Sequence, residues 1–149
     1  MSTYQTILTA IDCSDDSPAL LARAASLANS TTDIHLIHVI EPLALAYGAD
    51  VPMDVSELQG TLIERAHGTA EKYASTIGID KERVYVELGS IEKTIQDKAR
   101  QIGADLIVVG SHTRSGLALL LGSTARGLVP GAHCDVLAVK VDPKKGSKD

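Results

Sequence analysis

Five short apolar runs, separated by stretches with helical spacing, limit what this chain can fold into more than any other feature. They are YQTILTAI (Tyr4 to Ile11), DIHLIHVI (Asp33 to Ile40), RVYVEL (Arg83 to Leu88), ADLIVVG (Ala104 to Gly110) and DVLAVKV (Asp135 to Val141). Each has strand length and is rich in valine or isoleucine, whose branched Cβ suits a pleated surface. Between them, the spacing of apolar residues predicts helices. The first has Ser17 as N-cap and Pro18 in its first turn, and runs through ALLARAASLANS. A second begins near Asp54, with Glu57 three residues on as a capping-box partner, and continues to about Ile77. The third runs from Ser90 through IEKTIQDKARQI and stops at Gly103. A fourth starts around Gly122 or Ser123 and ends before Pro130-Gly131. Strand alternating with helix throughout means an α/β fold: a doubly wound parallel sheet with helices on both faces.

The chain of 149 residues suffices for one domain with a buried core. Having neither Phe nor Trp, it must fill that core with Ile, Leu, Val and Ala. Residues 1–142 read as a single domain, and 143–149, in the lysine-rich end KVDPKKGSKD, as a disordered tail. The net charge of −5 argues against broad contact with a nucleic acid backbone. No window reaches the roughly 18 consecutive apolar residues that span a bilayer, and the start MSTYQTILTAID lacks the pattern of a secretory leader. Cys13 and Cys134 have no metal-ligand spacing and read as reduced thiols, so a cytoplasmic location is expected.

In an open doubly wound sheet, ligands bind beyond the carboxyl ends of the strands, where the strand order reverses. Two loops have suitable chemistry. AIDCSDDS follows the first strand and places Asp12 at its end. VVGSHTRSGLALLLGST (Val108 to Thr124) follows the fourth, and both loops converge on one cleft if strands one and four are neighbours. In the second loop, Gly110 allows close approach of the backbone, and Gly110 to Gly116 can present successive N–H groups to an anion. Ser123 and Thr124 sit where the fourth helix begins, so its free N–H groups and positive dipole end can hold phosphate oxygens, and Arg114 can pair with a phosphate. Asp12 suits the other end of a nucleotide, accepting from ribose hydroxyls or an adenine amino group. The same residues also fit a glycine turn after a strand and an ordinary Ser/Thr cap, with Arg114 in solvent.

The segments ILTAIDCSDDSPALLARAASLA, IHLIHVIEP and ADLIVVGSHTRSGLALLLGSTARGLVPGAHCDVLAVKV resemble the universal stress protein A family, from about Tyr4 to Val141. The resemblance implies a five-stranded parallel sheet of order 3-2-1-4-5, like that of the adenine-nucleotide α-hydrolases, with the reversal between strands one and four. It also implies homodimers, formed through the last strand, 135–141, which would otherwise be an apolar sheet edge. ATP-binding members carry Gly-x2-Gly-x9-Gly followed by Ser or Thr. This chain starts the pattern at Gly110 and closes it at Gly122-Ser123, but Thr113 replaces the middle glycine and eight residues rather than nine separate it from Gly122. Carried over residue by residue, the resemblance assigns Asp12 to the adenosine end, with Ala10 and Val39 lining adenine and ribose. It assigns Gly110, Ser111, His112, Thr113 and Arg114, with Gly116 beyond them, and Gly122, Ser123 and Thr124 to the phosphates of ATP or AMP. The function implied is a cytoplasmic stress-response regulator. The family also has members that lack these glycines and do not bind ATP, working through protein–protein contacts.

The remaining chemistry is sparse. Asp12, Asp15 and Asp16 offer carboxylates for a Mg²⁺ accompanying a nucleotide, though residues placed as Asp15 and Asp16 are more often there for the N-terminal dipole of the first helix. His112 either touches phosphate or faces solvent. His35 and His38, three apart on a strand, point to opposite faces and make a poor metal pair. Cys13 reads as a small packing residue, since no adjacent base or lysine activates it. No Ser-His-Asp arrangement or dedicated general base is evident, so binding, with slow ATP hydrolysis at best, is expected over fast turnover. A phosphoacceptor receiver domain needs an aspartate at the end of strand three, where this chain has VELGS. An ATP-consuming α-hydrolase carries a Ser/Gly-rich phosphate loop after strand one, where this chain has the acids of DCSDDS.

Overall fold

The computed structural model describes residues 4–13, 16–42, 56–110, 128 and 130–140. Its elements are β1 (Ile7–Ala10), α1 (Ser17–Leu27), β2 (Ile34–Ile40), α2 (Ser56–Thr76), β3 (Val84–Leu88), α3 (Ile91–Ile102), β4 (Leu106–Gly110) and β5 (Asp135–Val139). Short 3₁₀ turns at Thr31–Asp33 and Lys81–Arg83 lead into β2 and β3. All five strands are parallel, in the order β3-β2-β1-β4-β5. Ile7 of β1 pairs with Ile34 of β2 on one side and Leu106 of β4 on the other. The chain therefore builds outward through β2 and β3, returns to the opposite side of β1, and builds outward again through β4 and β5. The reversal lies between β1 and β4.

Alternation along the strands divides the core in two. On one face Ile7, Ile34, Leu36, Leu106 and Val108 pack under Leu20, Leu21 and Ala24 of α1 and Ala70 and Ala74 of α2. On the other, Leu8, Ile37, Ile107 and Val109 pack against Ile95 and Ala99 of α3 and against Leu128. Burial on both faces explains why β1 and β4 read as nearly unbroken apolar runs. Alanines on the inner sides of the helices let them approach closely, which is how a core without Phe or Trp stays filled.

Two helices end in the same way. Gly78 and Gly103 adopt left-handed backbone (φ +83° and +69°). At each, the following residue donates to the carbonyl five residues back: Ile79 to Ala74 at 3.0 Å and Ala104 to Ala99 at 2.8 Å. Ile79 and Ala104 are buried, completing the apolar contact of a Schellman stop. Gly103 stands where the sequence placed it. At α1 the expectation is corrected: the N-cap is Asp16, not Ser17, which is already helical, with Pro18 just behind it. Asp54 lies outside the described residues, as does the start of the fourth helix, of whose expected span only Leu128 is described, as helical.

The amino ends of β1 and β4 are fastened by one carboxylate. Gln5 N–H (2.9 Å) and Thr6 N–H (3.0 Å) donate to Asp105, whose own N–H donates to the Thr6 carbonyl at 2.9 Å. The Tyr4 hydroxyl donates to Asp135 at 2.8 Å. The Asp105 carboxylate thus takes the N–H groups of Gln5 and Thr6, with one backbone bond at the Thr6 carbonyl, and the first strand starts at Ile7 rather than Tyr4.

Candidate functional site

At the carboxyl edge of the sheet, the reversal brings the ends of β1 and β4 together. Thr9 pairs with Val108, so two residues further along each strand Ile11 and Gly110 stand at one level. Gly110 is the last residue of β4, paired with Val139 of β5. Asp12 is exposed one residue beyond Ile11. Ala10 and Val39 lie on one face of the sheet, partly buried against the cluster under α3. The structure therefore brings Ala10, Asp12, Val39 and Gly110 to one edge across three neighbouring strands. Ser111, His112, Thr113, Arg114, Gly116, Gly122, Ser123 and Thr124 lie outside the described residues, and so do residues 43–53 of the loop that begins at Glu41.

The turn after β1 is sharply defined. Ile11 N–H donates to the Ile37 carbonyl at 2.9 Å, extending the contact with β2 past the last strand residue. The Ile11 carbonyl accepts from His38 Nδ1 at 2.8 Å. Cys13 follows in left-handed backbone (φ +60°), the one non-glycine residue of positive φ among the described residues. Burial pushes the Cys13 thiol up to about 11, and the charge of Asp12 adds to the effect. It is a protonated, half-buried packing group at neutral pH, as the sequence suggested.

His35 and His38 do face opposite sides. His35 Nδ1 lies 2.8 Å from the Tyr85 hydroxyl, with the two rings stacked 5.8 Å apart. His38 meets the β1 turn from the other face. Sequence reasoning weighed both only as metal ligands and missed this contact. The available signal was a lone polar ring in an apolar strand, two residues from its end. Among the described residues, no group of three or more His, Cys, Asp or Glu side chains is arranged to hold a metal ion. Nor is any described helix long and apolar enough to cross a membrane.

Comparison with known proteins agrees with this architecture. A model of the universal stress protein family matches residues 3–140. Universal stress protein A homolog 2 of Coxiella burnetii is 39% identical over 153 aligned positions, covering 99% of this chain and 100% of that protein. Among solved structures, hypothetical protein MJ0577 has a TM-score of 0.75 at 24% identity, over 92% of this chain and 96% of its own. A universal stress protein in complex with cAMP gives 0.56 at 22% identity, over 93% and 98%. The universal stress protein from Archaeoglobus fulgidus in complex with dAMP gives 0.54 at 20% identity, over 93% and 98%.

Proposed function

Because this chain belongs to the universal stress protein family, we propose that it binds an adenine nucleotide, ATP or AMP, at the carboxyl edge between β1 and β4. The observation that carries this reading is the strand reversal, which brings Asp12 and Gly110 out at one edge, flanked by Ala10 and Val39. Two neighbours of the same fold hold cAMP and dAMP, which share an adenine base and a phosphate. Asp12 accepts hydrogen bonds from the ribose or the adenine amino group, and Ala10 and Val39 line the nucleoside. The backbone from Gly110 through Ser111, His112, Thr113 and Arg114 to Gly116, together with Gly122, Ser123 and Thr124, takes the phosphates. Any Mg²⁺ accompanying ATP falls to the carboxylates of the first loop. The protein acts as a cytoplasmic, homodimeric regulator of a stress response rather than as a fast enzyme, with β5 as the dimer edge.

Isothermal titration with ATP, AMP and dAMP tests this. Saturable heat is expected, and no heat at high micromolar ligand with folded protein overturns it. Asp12→Ala weakens AMP about tenfold or more, the effect of removing a charge-assisted hydrogen bond. Since dAMP lacks the 2′-hydroxyl, a loss confined to AMP assigns Asp12 to that group, and an equal loss for both assigns it elsewhere on adenosine. Thr113 favours a second reading, in which the protein works through protein contacts alone. Under that reading Thr113→Gly gives no binding either, whereas tighter ATP binding by this variant supports the nucleotide site.

A further inference from the structure

His38 is a polar ring in a strand whose neighbours are Ile37 and Val39, and it is spent on the first turn of the chain rather than on solvent. Both polar backbone groups of Ile11 are held by adjacent residues of β2. Its N–H goes to the Ile37 carbonyl at 2.9 Å, and its carbonyl goes to His38 Nδ1 at 2.8 Å. A carbonyl only accepts, so Nδ1 carries a proton in this bond. Ile11 is 5% exposed, so without His38 its carbonyl would lose a partner in a place water reaches poorly. Directly after this double fastening the chain leaves the sheet: Asp12 is exposed, and Cys13 takes up the left-handed conformation that side chains other than glycine resist. The direction in which Asp12 leaves is therefore set at Ile11.

We propose that His38 is a positioning residue for the nucleotide site, holding the exit of β1 so that the Asp12 carboxylate is presented to the nucleoside. This rests on the nucleotide reading above. His38 does not touch the ligand; it acts through Ile11 on Asp12. Its Nδ1–H is the feature that matters, so asparagine, whose amide N–H sits near the Nδ1 position, substitutes for it, while leucine does not. Glutamine, whose amide reaches past that position, behaves as leucine does while keeping a polar side chain, and serves should leucine prevent folding.

The test compares AMP affinity by titration for the wild type, His38→Asn, His38→Leu, His38→Gln, Asp12→Ala and the double variant Asp12→Ala/His38→Leu. Loss of the bond weakens AMP about tenfold, asparagine restores most of it, and the His38→Leu change has no further effect once Asp12 is alanine. Unchanged affinity in both His38→Leu and His38→Gln, or an equal loss with and without Asp12, overturns the proposal while leaving the nucleotide reading intact. Nitrogen NMR and amide exchange on the ligand-free protein provide an arm that needs no nucleotide. A Nδ1-protonated His38, with Asp12 and Cys13 amides that exchange faster in His38→Leu but not in His38→Asn, supports the positioning even if the wild type binds no AMP, in which case the nucleotide reading alone falls. A His38 ring protonated at Nε2 and not at Nδ1 overturns the proposal.

Discussion

His35 shows how one side chain sets a pH dependence. It stacks on Tyr85, whose ring also carries the Lys98 ammonium 4.2 Å from its centre, and Lys98 in turn pairs with Glu87 at 2.7 Å. Burial lowers the pKa of His35 below its ordinary value of 6.5, and the charges of Arg83 and Lys98 lower it further. The folded protein thus resists a proton that the unfolded chain accepts. The stability this contributes is complete above about pH 6.5 and is lost as the pH falls through the lower, folded value. Urea unfolding midpoints are expected to drop as the pH falls below about 6.5, and His35→Gln flattens that slope; an unchanged slope refutes the assignment. At this scale the sequence showed part of the site. Asp12 and Gly110 could be placed at one edge because strand ends at a reversal are few, whereas Ala10 and Val39 came only from the resemblance. The partners of His35 and His38 were not, since alternation tells which face a ring takes but not which hydroxyl or carbonyl waits there.

Helix ends and strand ends were legible to within a few residues, with departures at Ser17 and from Tyr4 to Thr6. Ser17 has the side chain of a cap, yet Asp16 occupies that position. Tyr4 to Thr6 have strand composition, yet Asp105 and Asp135 hold them by side chains that lie about a hundred residues or more away in sequence. Glycines that look alike in the sequence have opposite roles. Gly103 sits at φ +69° with nothing within 4 Å of where a Cβ would stand. Gly103→Ala is thus expected to cost about 1 kcal/mol through backbone conformation alone, with no clash. Gly60, inside α2 and equally open, carries no such demand. Gly60→Ala gains about 0.5–1 kcal/mol because the unfolded chain loses freedom. Denaturant unfolding of the two variants should shift in opposite directions.

For the whole molecule, strand–helix alternation in the sequence was enough for a parallel sheet covered on both faces, but not for the order of its strands. Any order of five such strands has the same local pattern; the order β3-β2-β1-β4-β5 came only from resemblance, and the structure shows it. That order leaves β3 and β5 as the two edges. Each edge strand carries one acid among apolar residues, Glu87 in β3 and Asp135 in β5, so the choice of β5 as the dimer edge rests on the family resemblance. For the proposed dimer, sedimentation velocity is expected to read about twice the 15.7 kDa chain mass; a monomer at tens of micromolar refutes it.

The place of β1 at the centre of the sheet also orders events in time. Its partner β4 follows after about a hundred residues, the separation between Gln5 and Asp105. During synthesis, β1 and β2 leave the ribosome early, but the middle of the sheet stays open along one side until the last third of the polypeptide emerges. Long-range parallel pairing of this kind is slow to form and leaves sticky backbone uncovered while it waits. A truncated product ending before Leu106 would keep an apolar central strand with no neighbour on that side, a ready target for chaperones and proteases.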